Sequence, residues 1–347
     1  ETADAYLMAV PTPFLEGHEA DLSYIKAAAK ALAPVLKKGD LVVLESTSPV
    51  GTTEQLSEWL ADFRDDLSFA HQSDNADVDV AYCPERVLPG KVLDELVDND
   101  RVIGGLSPRS SERAAALYKT FLKGECLLTN ARTAEMSKLT ENSFRDVNIA
   151  FANELSLICD HLDINVWELI GLANHHPRVN ILQPGPGVGG HCIAVDPWFI
   201  VSSCPEHARL IRTAREVNDG KPSWVRGKIQ QAVAKQALAQ GKNEDDITVA
   251  CLGLAFKPDI DDLRESPALL IAQSVAVEHP GETVVVEPNI ALSANPVRGA
   301  ELVTLEDAMH AADVVVLLVD HAPFKQLTRE QLEGKSWVDT RGVIDGA

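Results

Sequence analysis

The stretch Leu41-Val-Val-Leu-Glu-Ser-Thr-Ser-Pro-Val-Gly51 decides the fold. Its first four residues are apolar and bounded by polar residues, the pattern of a strand covered on both faces. Glu45-Ser-Thr-Ser-Pro49 is turn chemistry, and residues 52–63 read as a helix. Strand, polar turn and helix in that order are half of a βαβ unit. The same alternation extends outward. Upstream, Ala5–Val10 is a strand stopped by Pro11-Thr-Pro13, and residues 21–37 carry helical periodicity through Leu22, Ile25, Ala29, Leu32 and Leu36. Downstream come strands at Val78–Cys83 and Val102–Gly105 and a helix at 108–122. Strands alternating with helices predict a parallel sheet.

The first strand has no glycine-rich turn before it. A doubly wound dinucleotide domain carries that turn on its first strand, so this domain is expected to lack its N-terminal half. Residues 133–164 contain no Gly or Pro and space Met136, Leu139, Val147, Phe151, Leu155, Ile158 and Leu162 mostly three or four apart. They predict one helix about 45 Å long, of the kind that joins domains or builds a subunit interface. A second helical segment is expected over about 206–240. The αβ pattern restarts at Ile247–Leu252 and continues through Val284–Val286, Val314–Val319 and Ser336–Asp339.

The chain has 347 residues and a net charge of −21. That balance repels nucleic acid and anionic lipid, so clustered Arg and Lys carry information. No run approaches the roughly 18 apolar residues of a membrane helix, and Glu1–Ala5 offers no basic region of a signal peptide. The six cysteines form no CxxC pair or metal spacing, which suits reduced thiols in a cytoplasmic protein.

Gly185-Pro-Gly-Val-Gly-Gly-His-Cys-Ile-Ala-Val-Asp-Pro197 stands apart. Four glycines in six residues are costly to order. Such a stretch is a flexible linker or a place where backbone approaches a ligand, and the neighbouring His191, Cys192 and Asp196 favour the second. Gly185–Gly190 matches G-x-G-x-x-G, but that motif needs a strand before it and a helix after it, and Pro186 stands inside it. Cys192 is a buried structural thiol or a nucleophile. An amide-rich loop lowers a thiol pKa and favours the reactive thiolate.

Lys138 and Asn142 share a helix face, with Glu141 and Arg145 beside them. They form a solvated stripe or a cation and an amide aimed at developing negative charge. Phe256-Lys257 through Arg264-Glu-Ser-Pro267 follows a strand of the second αβ region, where ligands of open sheets bind, and Lys257 and Arg264 suit phosphates. His175-His176 lacks spaced partners, and no metal is assigned.

Together, Pro11-Thr-Pro13, Ser46–Gly51, Pro84-Glu85, Lys138-x-x-x-Asn142, Gly187–Pro197 and Phe256–Pro267 resemble the UDP-glucose/GDP-mannose dehydrogenase family over essentially the whole chain. The resemblance implies NAD as cofactor, a UDP-sugar as substrate and a homodimer. It implies oxidation of the sugar C6 hydroxyl to a carboxylate through a Cys192 thiohemiacetal and thioester. Lys138 and Asn142 would stabilise the oxyanion, Asp196 and Thr47 would position water and relay protons, and Glu85 would be the base of hydrolysis. Arg86, Val87, Leu88, Gly187, Gly189, Phe256, Lys257 and Arg341 would bind substrate, with Arg178 doing so from the partner subunit. Pro11, Thr12, Thr47, Cys192 and Arg264 would meet the cofactor. Pro89 and Val195 replace a glutamate and a lysine of UDP-glucose dehydrogenases, which points to UDP-N-acetylhexosamines, N-acetylmannosamine ahead of N-acetylglucosamine.

The expected fold is α/β, two doubly wound Rossmann-like domains joined by a helical dimerisation region. Its parts are 1–128 for NAD, 129–240 for the helices and cysteine loop, and 241–347 for UDP. Two rivals stay open: a fragment that binds UDP-sugar and dimerises without turnover, and a cysteine hydrolase using Cys192 and His191.

Overall fold

The computed structural model describes residues 3–15, 17–87, 92–190 and 192–344. Two compact units emerge from the contacts. One is the chain up to Phe144 together with Val195–Arg209; the other is Arg145–Ala194 and the chain from Leu210 onward. The expected middle segment 129–240 is therefore divided between them.

The first unit opens with β1 (Ala5–Met8), α1 (Ser23–Leu32), β2 (Leu41–Leu44), α2 (Thr52–Phe63) and β3 (Asp79–Tyr82). It continues with α3 (Val92–Asp98), β4 (Arg101–Gly105), α4 (Pro108–Tyr118) and β5 (Cys126–Asn130). The strands lie side by side in chain order. β1, β2 and β3 are parallel, and β4 pairs parallel with β5. The β3–β4 pair is antiparallel, a departure from the expected all-parallel sheet. A strand buried on both faces has the same apolar pattern in either direction, so sequence alone does not show this. β2 and β3 are buried at every residue. Ile25, Leu56, Leu60 and Phe69 close one face of the sheet, and Ala114 and Tyr118 close the other.

α5 (Ala131–His161) is a single helix of 31 residues that crosses the boundary between the units. α6 (Val166–Ala173) follows, capped by the Asn165 side chain. Residues 178–190 carry no helix or strand. α7 (Asp196–Ser203) belongs to the first unit. α8 (Arg209–Gln240) has 32 residues with Pro222 inside it.

The second unit then adds β6 (Val249–Leu252), α9 (Pro267–Glu278), β7 (Thr283–Val286) and β8 (Glu301–Leu302). α10 (Leu305–Ala311), β9 (Val314–Leu317) and β10 (Ser336–Asp339) complete it. Its sheet runs β10-β9-β6-β7-β8, and every pair is parallel. The chain winds one way from β6 and then returns to β9 on the other side. That doubly wound order opens a crevice where β6 and β9 diverge. Val225, Ile229, Ile271 and Val275 pack on one face, and Ala308, Phe324 and Leu332 on the other. Among the described residues, no helix is long and apolar enough to cross a membrane. None of the six cysteines is in a disulfide.

Candidate active site

In the first unit, β1, β2 and β3 run parallel, so their carboxyl ends share one edge of the sheet. Pro11-Thr12, Ser46–Gly51 and Pro84–Val87 leave from that edge. Hydrogen bonds tie the first two turns together. The Val10 amide donates to Ser46 Oγ at 2.8 Å, Ser46 Oγ donates to the Val10 carbonyl at 2.7 Å, and Thr12 Oγ1 donates to the Thr47 carbonyl at 2.6 Å. Glu135 of α5 anchors the far side of the Thr47 turn. Its buried carboxylate accepts from the Gly51 amide at 2.6 Å, the Thr53 amide at 2.8 Å and Thr53 Oγ1 at 2.6 Å. It thereby caps the first turn of α2, which lacks a capping side chain of its own.

Lys138 and Asn142 follow on α5, one and two turns beyond Glu135. Asn142 Nδ2 donates to Asp196 Oδ2 at 2.5 Å. Asp196 opens α7 and is buried. Burial pushes its carboxyl up to about 6, against the Asn142 hydrogen bond and the Lys138 charge, which pull it down. The structure thus gathers Lys138, Asn142 and Asp196 into one group. One amide N–H of Asn142 is committed to Asp196, which leaves the other for a ligand.

Glu85 is exposed, and its carboxylate accepts from the Val87 amide. Arg86 is ion-paired with Glu141 at 2.8 Å. Glu141, beside Lys138 and Asn142 in sequence, is therefore the counter-ion of Arg86. Leu88, Pro89 and His191 lie outside the described residues.

In the second unit a cavity of about 330 Å³ fills the crevice between β6 and β9. Phe256 and Lys257 reach it from beyond β6, Val319 and Asp320 from beyond β9, and Arg341 from beyond β10. Gly185–Gly189 line another side, and Arg145 and Ile149 of α5 contribute as well. Arg341 is aimed by Asp320, with Nε to Oδ1 at 2.8 Å. Lys257, Arg341 and Arg145 supply three cations against the one carboxylate of Asp320, in a chain of net charge −21. An anion fits such a cavity.

The glycine stretch packs tightly here. A Cβ at Gly189 would sit 2.4 Å from the Glu265 carbonyl oxygen and 2.7 Å from Pro267. Gly187 has φ of 149° and lies against Pro267 and Pro222. Close approach, and not linker flexibility, accounts for these two glycines. Cys192 follows at an exposed turn.

Two expected binding residues lie apart from this cavity. Arg264 is held by Asp262 at 2.6 Å and its side chain is 67% exposed. Arg178 is exposed beyond α6, its amide donating to His176 Nδ1. Arg145 and Asp320 line the cavity but are not among the expected ligands. Arg145 carries a signal, seven residues after Lys138 on one helix face; Asp320 carries only its place one residue past an apolar run.

Three family profiles match the chain. They are the NAD-binding domain of the UDP-glucose/GDP-mannose dehydrogenase family at residues 1–122, its central domain at 132–220 and its UDP-binding domain at 250–346. The UDP-N-acetyl-D-mannosamine dehydrogenase of Yersinia pestis is 64% identical over 99% of this chain and 82% of its own length. An NDP-N-acetyl-D-galactosaminuronic acid dehydrogenase of Ralstonia solanacearum is 61% identical over 99% of this chain and 79% of its own. The structure of the UDP-D-ManNAc dehydrogenase of Pyrococcus horikoshii superposes with a TM-score of 0.85 at 38% identity, covering 99% of this chain and 78% of that one.

Proposed function

Since the chain belongs to the UDP-glucose/GDP-mannose dehydrogenase family and is an NAD-dependent UDP-sugar dehydrogenase, we propose that it oxidises C6 of a UDP-N-acetylhexosamine by four electrons. The substrate in this reading is UDP-N-acetyl-D-mannosamine and the product its uronate. One observation carries the choice of sugar: 64% identity to a dehydrogenase of that name over nearly the whole chain.

The polar strand-end turns of the first unit suit a dinucleotide, with Pro11, Thr12 and Thr47 as its holders. NAD supplies the hydride acceptor for both oxidation steps. Lys257 and Arg341 balance the diphosphate charge of the substrate, while Phe256, Gly187 and Gly189 shape its pocket. Arg86, Val87 and Leu88, with Arg178 of a second copy, address the sugar.

Cys192 is the nucleophile. Its thiolate adds to the C6 aldehyde left by the first oxidation, which forms a carbon–sulfur bond and an alkoxide. Lys138 and the remaining N–H of Asn142 stabilise that alkoxide. Loss of the second hydride leaves a thioester. Asp196 and Thr47 hold water and relay its protons, and Glu85 acts as general base when water adds to the thioester and expels the thiolate. Arg264 joins the cofactor site only by exchanging Asp262 for a cofactor phosphate.

A homodimer completes the reading. Phe144, Phe151 and Ile158 recur at seven-residue spacings along α5, with Leu162 just past its end, and the four are 69%, 51%, 47% and 57% exposed. An apolar stripe of that length suits a second copy.

The test is the yield of NADH with a panel of UDP-N-acetylhexosamines. Two NADH per uronate with the manno epimer supports the proposal. Turnover of the galacto epimer alone would favour the second sugar reading, which the 61% identity to an N-acetyl-D-galactosaminuronic acid dehydrogenase supports. No NADH with any of them, or release of aldehyde after one NADH, overturns the mechanism.

A further inference from the structure

The second unit contains a buried polar chain that runs from helix to helix and ends on the glycine stretch. Arg215 of α8 lies 1% exposed and donates Nη1 to Asp146 Oδ1 at 2.6 Å. It also donates Nη2 to Asp219. Asn218, one turn on, donates Nδ2 to the same Asp146 oxygen at 2.8 Å. Asn218 Oδ1 in turn accepts from Asn153 Nδ2 at 2.8 Å, and Asn153 Oδ1 accepts from the Gly185 amide at 2.9 Å. Asp146 and Asn153 are both fully buried.

Such a network is costly unless its members are satisfied. Hydrophobic residues would hold two helices together as well. What apolar side chains cannot do is accept the Gly185 N–H, at the residue where an irregular stretch enters the cavity wall. Arg145, Ile149 and Asn153 lie four apart on α5, on one face of the helix. The first two line the cavity, and the third sits behind its Gly185 edge. From the other side, Arg341 Nη1 donates to the Pro184 carbonyl at 3.4 Å. The Pro184–Gly185 peptide is thus gripped at both ends.

We propose that Asn153 is a positioning residue for substrate. It fixes Gly185 through its side-chain oxygen and so sets the wall that Gly185–Gly189 present to the ligand. This rests on the reading that the cavity holds the uridine diphosphate. Asn153 touches no ligand itself. Its orientation is set by Asn218, whose amide donates to Asp146, which Arg215 holds in turn.

The experiment is calorimetric titration of the full chain with UDP and with NAD, together with steady-state kinetics and melting curves, on Asn153→Leu and Asn153→Ser. Leucine has no acceptor, and the serine hydroxyl falls about one bond short. Both variants are expected to raise the Kd for UDP and the KM for UDP-sugar about tenfold, the size of one buried hydrogen bond, with the KM for NAD unchanged. A purely structural role would lower the melting temperature and leave the UDP affinity of the folded protein intact, and that result overturns the proposal. Should the leucine variant fail to fold, the serine variant decides by the same affinities. If the unaltered chain does not bind UDP, the reading of the cavity has failed and not the role of Asn153.

Discussion

The Asn142 side-chain amide holds a carboxylate oxygen of Asp196 at 2.5 Å, and Asp196 is only 3% exposed. Burial lifts this carboxyl from 3.8 to about 6, while Asn142 and Lys138 favour its charged form. The proton affinity of Asp196 is therefore raised by its burial and held back by two residues of one helix. If Asp196 relays protons as a carboxylate, kcat should fall on the acid side with an apparent pKa near 6. Replacing Asn142 by Leu removes a hydrogen bond to the charged form, so the acid limb should move to higher pH by about one unit. An unmoved limb in that variant would separate Asp196 from the pH dependence.

The same carboxyl makes a stability prediction with a definite sign. Its folded pKa lies above the unfolded value, so between about pH 4 and 6 the folded state holds more protons. Stability from this group then falls as pH rises through that window, and the cost of the buried charge remains above it. Asp196→Asn should raise the melting temperature at pH 8, by up to about 3 kcal/mol of unfolding free energy, while kcat collapses. A variant equally stable at pH 4 and less stable at pH 8 would contradict this.

Much of this arrangement is legible in the residues alone, for physical reasons. β2 and α2 stand where Leu41–Leu44 and residues 52–63 place them, because a short buried run and an amphipathic segment are strong local signals. α1 ends sooner than expected: the turn carrying Pro34 tightens into a 3₁₀ segment at Ala33–Val35. β5 is missed because Cys126–Asn130 is largely exposed and shows no alternation. The start of α9 coincides with the end of a ligand motif. Pro267 reads as the end of a loop, whereas with Ser266 as cap it is the first residue of a helix. α7 is read as loop for a similar reason, since Pro197 sits in its first turn. Lys257 and Arg341 are 84 residues apart and meet only because β6 and β10 end on the same sheet edge. Burial of Asp196 has no local signal, and its shifted carboxyl is a property of the fold.

Lys257 and Arg341 both face the 330 Å³ cavity, but only Arg341 has an anchoring carboxylate, Asp320. Removing the Arg341 guanidinium therefore leaves Asp320, with Lys325 as its remaining partner at 3.1 Å, facing an incoming anion. Arg341→Met should raise the KM for UDP-sugar more than Lys257→Met does, by about 100-fold against about tenfold, with the KM for NAD unchanged in both. The double variant Arg341→Met with Asp320→Asn should recover part of the loss. Steady-state kinetics with UDP-sugar varied at saturating NAD measures all three.

Cys192 is the proposed covalent centre, so its loss should spare binding and abolish turnover. Cys192→Ala should bind UDP-sugar within about threefold of the unaltered chain and lose steady-state NADH formation by at least about 10³-fold. Full activity would sink the thiohemiacetal.

The exposed stripe on α5 gives a prediction in assembly. Phe151→Glu with Ile158→Glu places two charges where a second copy is proposed to pack. Sedimentation should show a monomer at micromolar concentration where the proposal expects the unaltered chain to be a dimer. A dimer of undiminished stability would move the interface elsewhere.

Lys221 of α8 is 2% exposed, stacks 3.7 Å above the Trp224 ring and donates to Ser156 Oγ. Ser156 Oγ donates in turn to the Asn153 carbonyl. Burial lowers the ammonium from 10.5 to about 7, against the attraction of Asp160. Between those two values the unfolded chain carries a proton that the folded chain lacks, so stability should rise with pH across that window. Below pH 7 the whole cost is present, on the order of 5 kcal/mol. The cation–π contact offsets about 1–2 kcal/mol at most. Lys221→Met fills similar volume with no charge to bury. It should raise the denaturation midpoint at pH 6.5, flatten the rise between pH 7 and 10, and leave the midpoint above pH 10 nearly unchanged. Urea titrations at these pH values would show it, and a lower midpoint for the variant at pH 6.5 would mean that the amine stabilises the fold through Ser156 more than its burial costs.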